Sequence, residues 1–314
     1  MSLDIETIID RRRLKRRLSL WRIAALVALG LAIIAFLPSS GLSPVGDHVA
    51  RVTVSGIIVD DRAQQQLIRE IGEDDSVKAL MLYIDSPGGT TTGSEALFET
   101  VREVSETKPV VAVLGTVAAS GGYIAALSAD HIVSRGNTIT GSIGVFFQLT
   151  QLTGLMETIG VDVDYVRSGD LKAQPNPYED PPKEAIASTQ AMVDASYDWF
   201  LDLVMDRRGL EEETARTLSD GRIYTGFQAL ENGLVDAIGG EEVARNWLFD
   251  EHEVDQDLPT EEWVVYDETG FGLISSDATA NFIVSVLSSV GEKTIAAKGL
   301  TLDGLVSVWQ PDRR

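Results

Sequence analysis

Two polar side chains of this sequence could act as a nucleophile and a base. Ser120 lies in a run of small residues, Ala-Ala-Ser-Gly-Gly-Tyr at positions 118–123, where a strand is predicted to turn into a helix. A serine hydroxyl attacks a carbonyl only when a neighbouring group removes its proton. The sequence contains no cysteine, which excludes thiol chemistry and disulfides. The pattern around Ser120 therefore indicates a serine nucleophile.

The base is predicted to be a lysine. Of the three histidines, none has catalytic-looking neighbours, and His131 is interpreted as a structural residue at the start of a short strand. Lys172 follows a predicted strand at 163–166 and precedes a loop with two prolines. A lysine acts as a base when burial in an apolar site lowers its pKa. Taken alone, Lys172 is typical of a solvated loop residue; together with Ser120 it indicates a base.

A glycine pair could hold the negative charge that develops on an attacked carbonyl. Residues 80–85 are predicted to form a buried strand, followed by Ser-Pro-Gly-Gly at 86–89 and a helix over 93–106. Backbone amides at Gly88 and Gly89 can point at a ligand without an intervening side chain. A lone Pro-Gly-Gly is also typical of a plain turn, so both interpretations stay open on spacing alone.

Several motifs occur in the order and approximate spacing of one known family. They are Asp-Ser-Pro-Gly-Gly at 85–89, Ala-Ala-Ser-Gly-Gly-Tyr at 118–123, Thr-Gly-Ser-Ile-Gly-Val at 140–145, Ser-Gly-Asp-Leu-Lys at 168–172 and Asp-Gly-Arg-Ile-Tyr-Thr-Gly at 220–226. Over roughly residues 49–248 the sequence resembles the signal peptide peptidase A (protease IV) family. The resemblance implies a serine-lysine peptidase on the fold shared by Clp protease and the crotonases, with repeated ββα units and a parallel sheet.

The resemblance also implies a role for each matching residue. Ser120 would be the nucleophile and Lys172 the general base, while Ser142 would orient the lysine. The remaining implied positions surround the oxyanion hole and are Gly88, Gly89 and Gly121. The chain carries one catalytic unit rather than a tandem pair, so it resembles the short form. In that form both catalytic residues come from one unit or meet across an interface between identical subunits. The resemblance also suggests a ring of subunits, and so a homo-oligomer.

The elements that must position these residues alternate between strand and helix. The predicted pairs are a strand at 49–59 with a helix at 63–71, a strand at 79–84 with a helix at 94–104, and a strand at 110–114 with a helix at 121–128. This alternation predicts an α/β fold with parallel crossovers. Further strands are predicted at 131–134, 144–148 and 163–166, and further helices at 153–159 and 183–208.

The N-terminal part predicts a membrane anchor. Residues 1–22 carry seven basic and three acidic side chains, and 23–37 are uncharged and apolar. A retained transmembrane signal anchor at 23–38 is favoured over a cleaved signal peptide, because no clear Ala-x-Ala site follows. The positive-inside bias then places the N-terminus in the cytoplasm and a peptidase domain, 39–250, outside the cell membrane. Residues 251–314 form an extension of uncertain role.

The charge of the chain limits its partners. A formal net charge of −22 repels phosphate, so nucleic acid is an unsuitable partner. So acidic a surface is typical of a protein that works at high salt. No metal or nucleotide cofactor is predicted, because the sequence has neither a histidine pair at ligand spacing nor a phosphate-binding glycine loop.

The sequence as a whole predicts a membrane-anchored serine endopeptidase that cleaves leftover signal peptides or other membrane-associated polypeptides. An extended peptide substrate would pair with a strand edge near Gly88 or Gly144. Two alternatives stay open: an acyl-thioester enzyme of the crotonase type, which would not need the pair of Ser120 and Lys172, and a catalytically silent scaffold of a membrane complex.

Overall fold

The computed structural model describes residues 21–22 and 46–265, together with the backbone of 306–308. The predicted anchor at 23–38 lies outside these residues. Within the described part of the chain, no helix has the length and apolar character needed to cross a bilayer.

The described elements form one nine-stranded sheet with helices around it. The strands are β1 (His48–Ile58), β2 (Val77–Thr90), β3 (Val110–Ala119), β4 (His131–Ser134), β5 (Ile139–Gly141), β6 (Ile223–Thr225), β7 (Ala237–Ile238), β8 (Thr260–Glu262) and β9 (Val306–Val308). The helices are α1 (Arg62–Glu73), α2 (Thr91–Ser105), α3 (Gly121–Leu127), α4 (Thr153–Ile159), α5 (Lys183–Arg208), α6 (Glu212–Leu218), α7 (Gly226–Glu231) and α8 (Glu241–His252).

The sheet is mostly parallel, which confirms the predicted α/β class. Its main path runs β6-β5-β3-β2-β1-β8, while β4 pairs with β3 and β7, and β9 pairs with β2. Only the pairs β5 with β6 and β2 with β9 are antiparallel among the described strands. Helices α1, α2 and α3 follow β1, β2 and β3 as the alternation predicts. The carboxyl ends of β2 and β3 therefore lie side by side, where Gly88 and Ser120 occur.

Strand β2 is buried on both faces. Leu80 and Leu82 point into the core beneath α1, α2 and α3, whereas Met81 points into a second core that includes Leu248 of α8. Alternate residues of a strand face opposite sides of the sheet. Because helices cover both sides, the strand is apolar over consecutive positions, as central parallel strands usually are.

Two predicted strands are wrong. Residues 163–166 have no regular secondary structure, and 144–148 contain only a single bridging residue, Phe146. The valines and acidic residues at 161–164 alternate as in a strand, but a strand is stable only when a neighbour satisfies its backbone groups. At this end of the sheet β6 already pairs with β5, and 161–166 is exposed instead.

One carboxylate ties three elements of the domain together. Asp236 accepts hydrogen bonds from the Ile132 amide of β4 at 2.7 Å and from Arg208 at the end of α5 at 2.6 Å. Burial alone would raise the pKa of Asp236, but the hydrogen bonds and charge of Arg208, the Ile132 amide and His131 together lower it. The ionised carboxylate therefore stabilises the folded state.

We expect Asp236→Asn to reduce the free energy of unfolding at pH 7 by about 2 kcal/mol, because a hydrogen bond to a charged group is lost. The folded-state pKa is depressed, so the carboxylate contributes fully above the pKa of the unfolded chain, and its contribution is lost as pH falls through the lower folded pKa. The free energy of unfolding, measured with urea over a range of acidic pH, should thus depend less on pH for the variant than for the wild type. Asp250→Asn, at an exposed position of α8, is the matched control, and equal effects of both variants would contradict the assignment.

Candidate active site

Ser120 occupies a strained bend between β3 and α3. Its backbone has φ 56° and ψ −117°, a region that residues with a side chain rarely adopt. The bend is held by its amide, which donates to the Gly141 carbonyl at 2.8 Å, and by its carbonyl, which accepts from Tyr123 at 2.9 Å. Ser120 is 1% exposed. The nucleophile predicted from the sequence therefore lies at the predicted strand-to-helix turn, with its backbone fixed from both sides.

Two glycines bring the end of β2 against this bend. A Cβ atom on Gly121 would lie 3.0 Å from the Gly89 nitrogen and closer still to Ser94 Oγ, so only glycine fits. Gly88 has φ 110°, which also requires glycine. The Gly88 amide donates to Ser86 Oγ at 3.0 Å. This hydrogen bond engages the Gly88 amide, while the other two predicted oxyanion-hole residues, Gly89 and Gly121, lie against each other at the bend.

A cavity of about 620 Å³ opens beside Ser120. It brings together two of the predicted residues, Ser120 and Ser142. Ser142 has φ 50° and its amide donates to the Arg222 carbonyl at 2.8 Å. The other lining residues are Ile143, Gly144, Val145, Phe146, Tyr197, Ser219, Asp220 and Gly221. The cavity is large enough to hold a substrate side chain next to the nucleophile.

Lys172, unlike Ser120 and Ser142, lies away from the cavity. It lies in an exposed turn, where its amide donates to the Gly169 carbonyl at 3.0 Å, and it does not line the cavity at Ser120. One chain by itself thus leaves this lysine exposed to water. The role of Lys172 as a base stays a prediction.

Some residues of the cavity were not predicted from the sequence. Tyr197 comes from α5, and its hydroxyl donates to the Ser219 carbonyl at 2.9 Å. Burial raises the pKa of the Tyr197 phenol, so it keeps its proton. Asp220 and Gly221 belong to a motif that was quoted without a role, and that motif was the available signal for this wall of the cavity.

The edge of β2 next to Ser120 accepts a further strand. Strand β9 pairs with it in antiparallel orientation, with Val308 opposite Gly88, Ser307 opposite Gly89 and Val306 opposite Thr90. This is one of the two edges at which the sequence predicted that a peptide would bind. The end of β2 can therefore pair with β1 on one side and an extended segment on the other.

A buried serine at a sharp strand-to-helix bend, glycine amides beside it and a strand-accepting edge define a hydrolase of the serine peptidase class. The statistical model of peptidase family S49 matches residues 102–255, and that of Clp protease matches 50–136. Together with the relatives described next, these matches show that the chain belongs to peptidase family S49.

Three relatives illustrate the similarity. A Synechocystis sp. protein whose name describes it provisionally as a protease is 38% identical over 63% of this chain and 72% of its own length. Protease 4 of Haemophilus influenzae is 34% identical over 64% of this chain and 34% of its own length. The chloroplastic serine protease SPPA of Arabidopsis thaliana is 35% identical over 59% of this chain and 27% of its own length. The matches to the two latter proteins thus span about a third or less of those relatives.

The strain at Ser120 can be measured by substitution. Ser120→Ala and Ser120→Gly should both abolish peptide cleavage, but the glycine variant should unfold with a free energy about 1 kcal/mol higher than the alanine variant, because glycine tolerates positive φ. The matched pair at Ser128, where φ is −70°, should show the reverse order. The same order at both sites in chemical denaturation would contradict strain at Ser120.

Proposed function

We propose that this chain is a membrane-anchored serine endopeptidase in which Ser120 and Lys172 form the catalytic dyad. Membership of family S49 supports a peptidase over the crotonase-type enzyme and the silent scaffold. The observation that carries the proposal is the strained Ser120 bend, packed against Gly89 and open to the cavity on its other side.

The proposed reaction proceeds through an acyl-enzyme. Lys172, as a neutral amine, takes the proton of the Ser120 hydroxyl while the oxygen attacks the peptide carbonyl. Amides of Gly89 and Gly121 stabilise the oxyanion, and Ser142 orients the lysine. The tetrahedral intermediate then collapses, the carbon–nitrogen bond breaks, and the lysine passes its proton to the leaving amine. Water activated by the same lysine releases the acyl chain.

The edge of β2 supports an extended peptide as the substrate. Strand β9 makes there the antiparallel pairing that a bound peptide would make. The side chain of the residue next to the scissile bond would enter the cavity beside Ser120.

Removal of β9 tests this use of the edge. A chain ending at residue 305 should cleave a short fluorogenic peptide with a KM several-fold lower than that of the full chain, because a competing strand is gone. A chain ending at residue 308, which retains β9, should keep the original KM. Equal KM values for all three chains would contradict the assignment of this edge to the substrate.

The exposed position of Lys172 supports catalysis between subunits. The apolar side chains that precede it or adjoin it are exposed, and they are Leu155, Ile159, Val161, Val163, Val166 and Leu171. A second copy of the chain packing on this surface would bury them and Lys172 together. Burial is the condition that lowers the pKa of a lysine enough to make it a base. The proposal therefore includes a homo-oligomer.

The dependence of cleavage on pH tests the base. Since only a neutral amine accepts a proton, kcat/KM should rise with increasing pH if an amine is the base. Lys172→Ala should lower kcat/KM by about 10²-fold or more and remove this rise. Lys183→Ala, at an exposed lysine at the start of α5, is the control and should keep the wild-type profile.

Mixed assemblies of two variants distinguish a dyad formed within one chain from a dyad formed between neighbouring chains. Ser120→Ala and Lys172→Ala chains, each inactive alone, should regain activity when unfolded together and reassembled, if each lysine serves the serine of a neighbour. Mixed assemblies that stay inactive would restrict the dyad to one chain. A Lys172→Ala chain with an unchanged pH profile would remove Lys172 as the base altogether.

The membrane part of the proposal rests on the sequence. The basic segment 1–22 and the apolar segment 23–38 support a single signal anchor with a cytoplasmic N-terminus and an extracytoplasmic peptidase domain. A peptidase held at the membrane surface would meet leftover signal peptides and fragments of membrane proteins, which we propose as its substrates.

A further inference from the structure

A second cavity lies at the start of α2, apart from the one at Ser120. Its volume is about 200 Å³, and its lining residues are Thr91, Glu95, Ala195, Ser196 and Trp199. None of these lines the first cavity. We call this second cavity the α2–α5 cleft, after the two helices that form its walls.

A buried hydroxyl of the α2–α5 cleft is unsatisfied. Thr91 is 7% exposed, and its Oγ1 has no hydrogen-bond partner among the described residues. Leaving a buried polar group without a partner is unfavourable, because the group loses its hydrogen bonds to water and gains none in return. A ligand group in the cleft would supply the missing hydrogen bond, so the hydroxyl points to a bound group with a donor or an acceptor.

The other walls of the cleft select a positive charge. Glu95 and Trp199 are both half-buried. Arg69 of α1 pairs with Glu103, and Arg102 of α2 itself pairs with Asp130, so both arginines are engaged by other carboxylates. A carboxylate binds a guanidinium or ammonium group by charge-assisted hydrogen bonds, and the face of an indole ring attracts the same groups. The combination therefore fits the side chain of arginine or lysine.

The cleft lies where one residue of a bound peptide would place its side chain. Thr90, the last residue of β2, turns its Oγ1 toward the start of α2, where it accepts a hydrogen bond from the Gly93 amide at 3.1 Å. Residues directly opposite each other in an antiparallel pair carry their side chains on the same face of the sheet. A peptide residue opposite Thr90 would therefore point toward the start of α2, and Thr91 there is a wall of the cleft.

The register of β9 fixes which residue this is. Position 306 lies opposite Thr90 and position 308 opposite Gly88. A substrate bound in the same orientation thus places opposite Thr90 the residue that lies two positions N-terminal to the one opposite Gly88.

We infer that the α2–α5 cleft is a specificity subsite for an arginine or lysine side chain of the peptide substrate, bound by Glu95, Trp199 and Thr91. The inference rests on the proposed peptidase function and adds a substrate class to it. It gives the enzyme a preference for a basic residue at one substrate position only, the one opposite Thr90.

A positional scan tests the subsite. A set of otherwise identical alanine-rich fluorogenic peptides carries one arginine, moved through successive positions, and kcat/KM is measured with the full chain. We expect arginine to raise kcat/KM roughly tenfold over alanine at a single position, as one ion pair with a cation–π contact would. The preference should shrink as salt is added, since salt screens a partly exposed charge pair.

Variants of α2 test whether the preference for arginine depends on Glu95. Glu95→Gln should bring the ratio of kcat/KM for the arginine peptide to that for the alanine peptide close to one, and Glu95→Asp should retain part of it. Glu99→Gln removes the same charge one turn further along the helix at an exposed position and should leave the ratio unchanged. Thermal unfolding of each variant shows whether it is folded.

The possible outcomes distinguish failure of the proposed subsite from failure of the proposed peptidase function. Cleavage of the peptides without preference at any position, or a preference that Glu95→Gln retains, would overturn the subsite and leave the peptidase intact. A wild-type chain that cleaves none of the peptides would remove the proposed function, and the subsite with it.

Discussion

The site depends on the contact between the first residues of α3 and the end of β2. Any side chain on Gly121 would collide with Ser94 or the Gly89 amide, and a Cβ on Gly122 would come within 2.6 Å of the Ser86 carbonyl. These glycines let two backbones approach to a distance that packed side chains do not allow. The approach puts the Gly89 amide next to Gly121, the residue after Ser120, whose own φ is 56°. The strained serine and the glycine amide therefore lie at the same point of the fold.

Much of the fold could be predicted, because its signals are local. Helix α5 begins after Pro181-Pro182 and ends at Arg208, with Gly209 as its C-cap, and the predicted bounds 183–208 match the structure. The end of β2 was predicted less well. The predicted strand stops at residue 85, because Pro-Gly-Gly is typical of a turn, whereas β2 continues to Thr90. The structure keeps Gly88 and Gly89 in the strand because Ile57 and Ile58 of β1 pair with them, 31 positions earlier in the chain. A pairing between residues so far apart in sequence leaves no local pattern.

The residues of the candidate site differ in the same way: some follow from local motifs, and others depend on long-range packing. Ser120, Gly121 and Ser142 belong to short motifs whose neighbours in sequence are also neighbours in space, and the structure brings them together. Tyr197 and Ser219 join the cavity from α5 and from the end of α6, and their positions follow only from how the helices pack. Lys172 shows the limit most clearly: its motif predicts a buried base, whereas its surroundings in one chain are water. In the proposed dyad, its burial would depend on a neighbouring subunit, and the sequence around Lys172 does not specify such a surface locally.

The pairing of β9 with β2 has a consequence for how the enzyme would meet its substrates. A strand that belongs to the same chain is present at the edge at an effective concentration of the order of millimolar, whatever the amount of protein in the cell. Dilute peptides would gain access only by binding more tightly than this tethered strand or by being confined near it. Confinement to a membrane surface raises the local concentration of a peptide, so an anchored enzyme with an occupied edge would act on neighbouring polypeptides and spare those that diffuse past.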